Sequence, residues 1–262
     1  MSHPYFADAP YPRVLAHRGL TLDDTIAENS YASVAAAQQA GAVFIESDCH
    51  LTRDGDVVLF HDADLRRVTG DPRRIVEVDL AELTALMSDR GGLITLRAAL
   101  QDFPTARFNL DVKAAGAADA VGALVAGHGE RVLLTSFADA RRRAALASAA
   151  RHAPANAVPP ATSAGRETIG RVLWGLVARS PRLVASALDG IHALQVPERQ
   201  GPVRVVTPRL IEAAHRHGVE VHVWTVNEPA DMRRLVALGV DGIVTDRADL
   251  ALVTLGQPPD RA

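Results

Sequence analysis

Along the chain, short apolar runs of four to six residues alternate with longer alanine-rich stretches whose apolar positions recur at helical spacing. This pattern predicts strands at 13–16, 43–48, 107–112, 131–135, around 156–161, 190–195, 219–224 and 241–244. Between them it predicts helices at 30–40, 95–102, 117–127, 138–149, 166–179, 207–217 and 229–238. Capping chemistry supports the boundaries. Asn29-Ser30 and Thr207-Pro208 stand at helix starts, and Gly41, Gly218 and Gly239 stand just past helix ends. Eight strands alternating with helices predict an α/β fold, a (β/α)8 TIM barrel. A doubly wound open sheet would alternate in the same way, but the Gly-rich fingerprint after its first strand is missing. Strand and helix are hardest to separate in the Ala/Pro-rich stretch 144–165. No linker or break in composition divides the chain, so one domain over 1–262 is expected.

One connection breaks the alternation. After the second strand the chain reads CHLTRDGDVVLFHD, with Asp54-Gly55 between two β-like runs. Asp-Gly flanked by strands predicts a two-residue hairpin turn. Parallel neighbours need a crossover of a dozen or more residues, so Val57–Phe60 must return antiparallel. A turn at 54-55 would pair 53 with 56 and set His61 opposite Asp48. The expected fold is therefore a barrel with a small β-hairpin and helix insertion after its second strand, the hairpin folding over the C-terminal mouth.

Composition changes this picture little but excludes several function classes. Hydrophobic residues make up 48% and charged residues 23%, with 28 basic against 31 acidic and a formal net charge of -3. That balance argues against nucleic-acid binding and against a polybasic membrane anchor. Cys49 is the only cysteine, so a reducing compartment fits. The opening MSHPYFADAPYP lacks the apolar core of a signal peptide, and no stretch approaches the roughly 18 apolar residues of a spanning helix. A cytoplasmic, soluble protein is expected.

The candidate chemistry lies where strands end. VLAHRGL stops an apolar run on His17 and Arg18. FIESDCH sets Glu46 and Asp48 on one face of a strand, since side chains two apart point the same way. Two carboxylates in a barrel interior repel each other and lose hydration; a divalent cation relieves both, or each finds a separate cap or arginine. FNLDVK repeats the device with Asp111 and Lys113, which taken alone reads as a salt bridge. Together with His61 from the hairpin, these residues fall on the C-terminal rim, where barrel enzymes keep their chemistry. Carboxylates for a metal, histidines that exchange protons near neutral pH, and cations for phosphoryl oxygens together read as metal-assisted cleavage of a phosphate ester.

The same residues resemble the glycerophosphodiester phosphodiesterase family. The matching stretches are AHRG (16–19), AENS (27–30), FIESDCHLTRDGDVVLFHDADLRRVTG (44–70), LITLRAAL (93–100), NLDVK (109–113), VHVWTVN (221–227) and DGIVTD (241–246). They occur in the family's order, whereas 137–189 holds no such motif. The resemblance implies a TIM-barrel hydrolase that releases sn-glycerol 3-phosphate and an alcohol from a small-molecule glycerophosphodiester. It implies His17 and His61 as general acid and base, and Glu46, Asp48 and Asp111 as ligands of one divalent ion, Mg2+ or Ca2+. Arg18 and Lys113 would contact the phosphate, and Trp224 would form an apolar wall of the substrate site. In the family's usual scheme the glycerol 2-hydroxyl attacks phosphorus and water opens the resulting cyclic phosphate. Two departures stand out. Asp111 replaces the family's usual glutamate and reaches about 1.5 Å less far, one carbon–carbon bond. AENS departs from the usual proline and threonine around Glu-Asn.

Two alternatives remain open: a lysophospholipase D-like or related phosphodiesterase of the same superfamily, or a catalytically silent phosphate-binding barrel. The missing signal peptide and the lack of apolar loops disfavour a lipid substrate. The remaining polar residues are expected to be structural. Asn29 would cap the first helix, Asp246 would tie down the last loop, and His222 would pack inside. His215 and His217 would face solvent, and Cys49 would be a buried thiol.

Overall fold

A computed structural model describes residues 3–256; the first two and last six positions of the expected 1–262 span lie outside the described residues. Eight parallel strands form the barrel: β1 (Arg13–His17), β2 (Phe44–Leu51), β3 (Arg107–Val112), β4 (Val132–Thr135), β5 (Ala161–Thr162), β6 (Ala193–Pro197), β7 (Glu220–Trp224) and β8 (Gly242–Thr245). Neighbours in sequence are neighbours in the sheet, and β8 returns to β1 through the register Ala16↔Thr245. The ring closes between β5 and β6 by a single bridge, Ser163↔Ala193, flanked by His192 N–H donating to the Thr162 carbonyl at 2.9 Å. The expected (β/α)8 architecture is the one observed.

Alternation of side chains divides the core into layers. Outward-facing Val14, Ala16, Ile45, Cys49, Leu110, Val112 and Leu134 pack against the surrounding helices. Inside, Leu15, Phe44, Leu133, Ala161, Ala193 and Val244 form the barrel floor, completed by Tyr5 and Phe6 of the N-terminal segment. Each such fully buried large side chain contributes ~1.5–3 kcal/mol of transfer free energy. The sequence pattern offered no role for residues 3–6; the structure makes them the plug that shuts the end opposite the mouth.

The insertion after β2 also has a core of its own. Val58, Phe60, Leu65, Ile75, Val78, Leu83 and Met87 bury one another beneath the helices Arg66–Thr69 and Leu80–Met87. The hairpin returns antiparallel as expected, but its register is Cys49↔Leu59, His50↔Val58 and Leu51↔Val57. This is one residue from the expected pairing because the loop has three residues, not two. Thr52 pairs with Asp56, donating N–H to its carbonyl at 2.9 Å, and Gly55 takes the left-handed position at φ 93°. A one-residue slip exchanges faces. Phe60, not His61, therefore lies opposite Asp48, its N–H donating to the Asp48 carbonyl at 2.9 Å. His61 still reaches the mouth because it lies beyond the strand end, Leu59, where the chain bends.

The ambiguous stretch 144–165 resolves as a helix, Asp139–His152, that runs longer than expected, followed by β5 at its late end. The helix Pro181–Leu188, the ribbon Arg199–Gln200/Val203–Arg204 and the helix Ala248–Thr254 are among the elements the sequence pattern does not announce. Among the described residues no helix is long and apolar enough to cross a membrane.

Candidate active site

The first βα turn shows why an apolar strand stops on two basic residues. Arg18 N–H donates to the Glu46 carbonyl at 2.9 Å, as though β1 continued, but its φ of 59° turns the chain out of the sheet. Gly19 follows at φ 88°, and a Cβ there would lie 2.5 Å from Ser33 Oγ. Only glycine lets the helix Tyr31–Gln39 come this close. Ser30, not Asn29, caps that helix by accepting from Ser33 N–H. Asn29 instead braces the acids of the second strand. At φ 54° it accepts from Ser47 Oγ and donates Nδ2 to Asp48 Oδ2 at 3.1 Å.

Strand register then lines up the chemistry. His17 lies beside Glu46, Glu46 beside Asn109, and Asp48 beside Asp111. These side chains open into one cavity of about 640 Å³ at the mouth. His17, Arg18, Glu46, Asp48, His61, Asp111, Lys113 and Trp224, the residues singled out in the sequence, all line it.

Both histidines are held in the same way. His17 Nδ1 lies 2.6 Å from Asp246 Oδ1, and His61 Nδ1 lies 2.7 Å from Asp62 Oδ1. Each ring therefore keeps Nε2 free of its orienting carboxylate. Asp246 is fixed in turn by Asn227 Nδ2 at 2.8 Å, so it does more than tie down a loop. Burial would lower the His17 pKa, but the hydrogen bond to Asp246 and the nearby Glu46 charge together hold it above the ordinary value. Asp62 receives Arg67 Nε at 2.6 Å. Arg67 also reaches Glu28 at 2.5 Å, and Glu28 receives Arg18 Nη1 at 2.9 Å.

The carboxylates are buried and differ in how far they are satisfied. Asp48 is fully partnered: Asn29 and Arg18 Nε (3.2 Å) meet one oxygen, and Lys113 Nζ meets the other at 2.9 Å. Lys113 also lies 2.7 Å from Asp111 Oδ2. Both predicted phosphate cations thus line the cavity while paired to carboxylates. Glu46 Oε2, Asp111 Oδ1 and Asn109 Oδ1 are buried with no hydrogen-bond partner. Burial first, and then the Asp48 charge, raise the Glu46 pKa; burial also raises that of Asp111. Among the described residues no three side chains are arranged as a ready metal-ligand group, with Lys113 lodged between Asp48 and Asp111. The orphaned oxygens, two of carboxylates and one of an amide, nevertheless form a hard donor set that fits a divalent cation.

The far wall is apolar and comes largely from the stretch without motifs. Phe137 stacks edge-on against Trp224, with centroids 5.9 Å apart, and carries Lys113 Nζ over its ring at 5.4 Å. Ile169 and Leu173, on the helix Arg166–Val177, continue this wall. Buried Asp139 joins the two segments, accepting from Gly165 N–H, Thr168 N–H and Thr168 Oγ1. His222 packs inside as expected, with Nε2 2.9 Å from Glu220, and Cys49 is a buried free thiol. His217 is exposed, but His215, also at the surface, pairs with Asp241 at 2.7 Å.

Known proteins share this arrangement of chain. A Mycobacterium tuberculosis protein named probable glycerophosphodiester phosphodiesterase 2 is 36% identical over 242 residues, covering 90% of this chain and 88% of its own. The glycerophosphodiester phosphodiesterase of Caldanaerobacter subterraneus is 26% identical over 253 residues, covering 89% and 93%. The crystal structure of glycerophosphodiester phosphodiesterase from Thermotoga maritima superposes with a TM-score of 0.68 at 26% identity, covering 92% of this chain and 97% of that one. The sequence model of the glycerophosphoryl diester phosphodiesterase family matches residues 17–250, and the chain belongs to that family.

Proposed function

We propose that the chain hydrolyses glycerophosphodiesters to sn-glycerol 3-phosphate and an alcohol, with His17 and His61 as general acid and base and a divalent cation on the carboxylates. One observation carries this reading. Two histidines from separate elements, each with Nδ1 on its own carboxylate, converge on one cavity with buried, incompletely satisfied acids. The names borne by the Mycobacterium and Thermotoga relatives support the same reaction.

In this reading one imidazole takes the proton of the attacking hydroxyl and the other gives a proton to the leaving alkoxide. Asp246 and Asp62 fix the tautomers and support the transient imidazolium. Arg18 and Lys113 offer donors to the non-bridging phosphoryl oxygens, and Trp224 walls the substrate site. Glu46, Asp48 and Asp111 would hold the cation, Mg2+ or Ca2+, which supplies Lewis-acid neutralisation of phosphoryl charge when bound. The test is a panel of glycerophosphodiesters offered to metal-stripped protein with Mg2+, Ca2+ or Mn2+ added back. Turnover restored by one of them is expected. A silent phosphate-binding barrel would bind and release the panel unchanged.

The apolar wall of Phe137, Ile169, Leu173 and Trp224 favours a second reading, a lysophospholipase D-like cleavage whose substrate carries an acyl chain. Comparing a water-soluble diester with its monoacyl counterpart separates the two.

Asp246→Asn should lower turnover by on the order of tenfold or more, because the amide no longer selects the His17 tautomer. Since the Asp246 hydrogen bond raises the His17 pKa, the limb of the pH–rate profile belonging to His17 should move to lower pH in this variant. An unmoved profile removes Asp246 from the mechanism.

Asp111→Glu should restore reach and raise magnesium-supported turnover relative to calcium-supported turnover, since magnesium demands the stricter geometry. Metal titrations of both proteins decide it. An unchanged ratio means that the backbone already compensates for the shorter side chain.

A further inference from the structure

The apolar wall of the cavity does not end at its rim. On the helix Arg166–Val177, Gly170 and Leu173 face the cavity, and Val177, four residues on, continues that line beyond it. Val177 is 73% exposed and Trp174, beside it, 65% exposed. A tryptophan so open to water next to an exposed valine needs a reason. Arg171, Arg179 and Arg182 are exposed around this stripe, and none forms an ion pair among the described residues. From 166 to 190 there are four arginines against two carboxylates, Glu167 and Asp189, in a chain of net charge -3.

We propose that this helix and the turn after it are a docking surface for an anionic phospholipid surface. Trp174 and Val177 would enter the headgroup boundary, and the arginines would meet the lipid phosphates. Tryptophan with aliphatic residues on one side and arginines around them is the composition of interfacial helices. Local positive charge within an acidic molecule fits an anionic surface and disfavours a second copy of this chain, whose arginines would face these across a symmetric contact. Because the stripe continues the cavity wall, docking brings the mouth against the headgroup layer. That use of the surface rests on the phosphodiesterase reading; the docking itself does not.

Flotation with vesicles of phosphatidylcholine alone, or mixed with an equal part of phosphatidylglycerol, tests the proposal. The chain should float with the mixed vesicles at low salt, weakly with the neutral ones, and dissociate as salt rises. Trp174→Ser with Val177→Ser, and separately Arg179→Glu with Arg182→Glu, should each weaken binding on the order of tenfold or more. Turnover of a water-soluble glycerophosphodiester should not change in either variant, since none of the four residues lines the cavity. Failure to float at low salt, or flotation undiminished in both variants, overturns the proposal. So does light scattering that shows self-association of the wild type abolished by the Trp174 and Val177 changes. Loss of the catalytic reading would appear instead as no turnover of the soluble substrate by the wild type.

Discussion

Replacing His17 or His61 by alanine should lower turnover by roughly two to four orders of magnitude, the usual contribution of a positioned general acid or base. Both rings stand at the cavity, each with Nδ1 on a carboxylate, and among the described residues no other histidine lines it. Folding should be little affected. Neither ring belongs to the buried apolar layers, and His61 lies past the end of its strand. Thermal melts near wild type together with collapsed kcat are the expected pair of results. Near wild-type turnover in either variant would remove that residue from the mechanism.

Glu46→Gln should weaken divalent-cation binding and turnover together. The amide keeps the shape but removes a charge from a carboxylate that has a buried, unpartnered oxygen. Burial and the Asp48 charge oppose ionisation of Glu46, so without a cation the variant should be no less stable than the parent, and relief of repulsion should make it slightly more so. Calorimetric titration with Mg2+ and Ca2+ reads the first effect and a denaturant melt the second. Unchanged metal affinity would place the cation elsewhere.

How much of this was legible in the sequence depended on how locally each feature is determined. The barrel could be read because eight short apolar runs alternate with helical patterns, and the rim residues could be read because strand ends are visible as the points where apolar runs stop. The hairpin's sense followed from chain length, but its register did not. Asp-Gly suggests a two-residue loop, whereas Thr52 closes a three-residue one by hydrogen-bonding Asp54 and Asp56. The helix Asp139–His152 was legible at 138–149, but its last turn was not, because its alanines and arginines give it almost no apolar stripe.

The orienting partners were out of reach for another reason. Asp246 lies 229 residues from His17 and meets it only because β8 closes onto β1. No spacing in the sequence announces such a pair. Phe137 and the helix behind it could not be recognised as cavity wall because apolar residues there fit a packed core equally well. The family resemblance brought the rim residues together; Asp62, Arg67 and Asp139 emerged only once side chains could be seen in contact.

This rim should cleave a phosphodiester on the side of the alcohol and leave phosphate on the glycerol. Following glycerophosphocholine by phosphorus NMR with the metal-loaded protein tests it most directly. A single phosphorus-containing end product, sn-glycerol 3-phosphate, is expected, with free choline released in equal amount. Phosphocholine as the product, or an unchanged substrate signal with every divalent cation supplied, would contradict it.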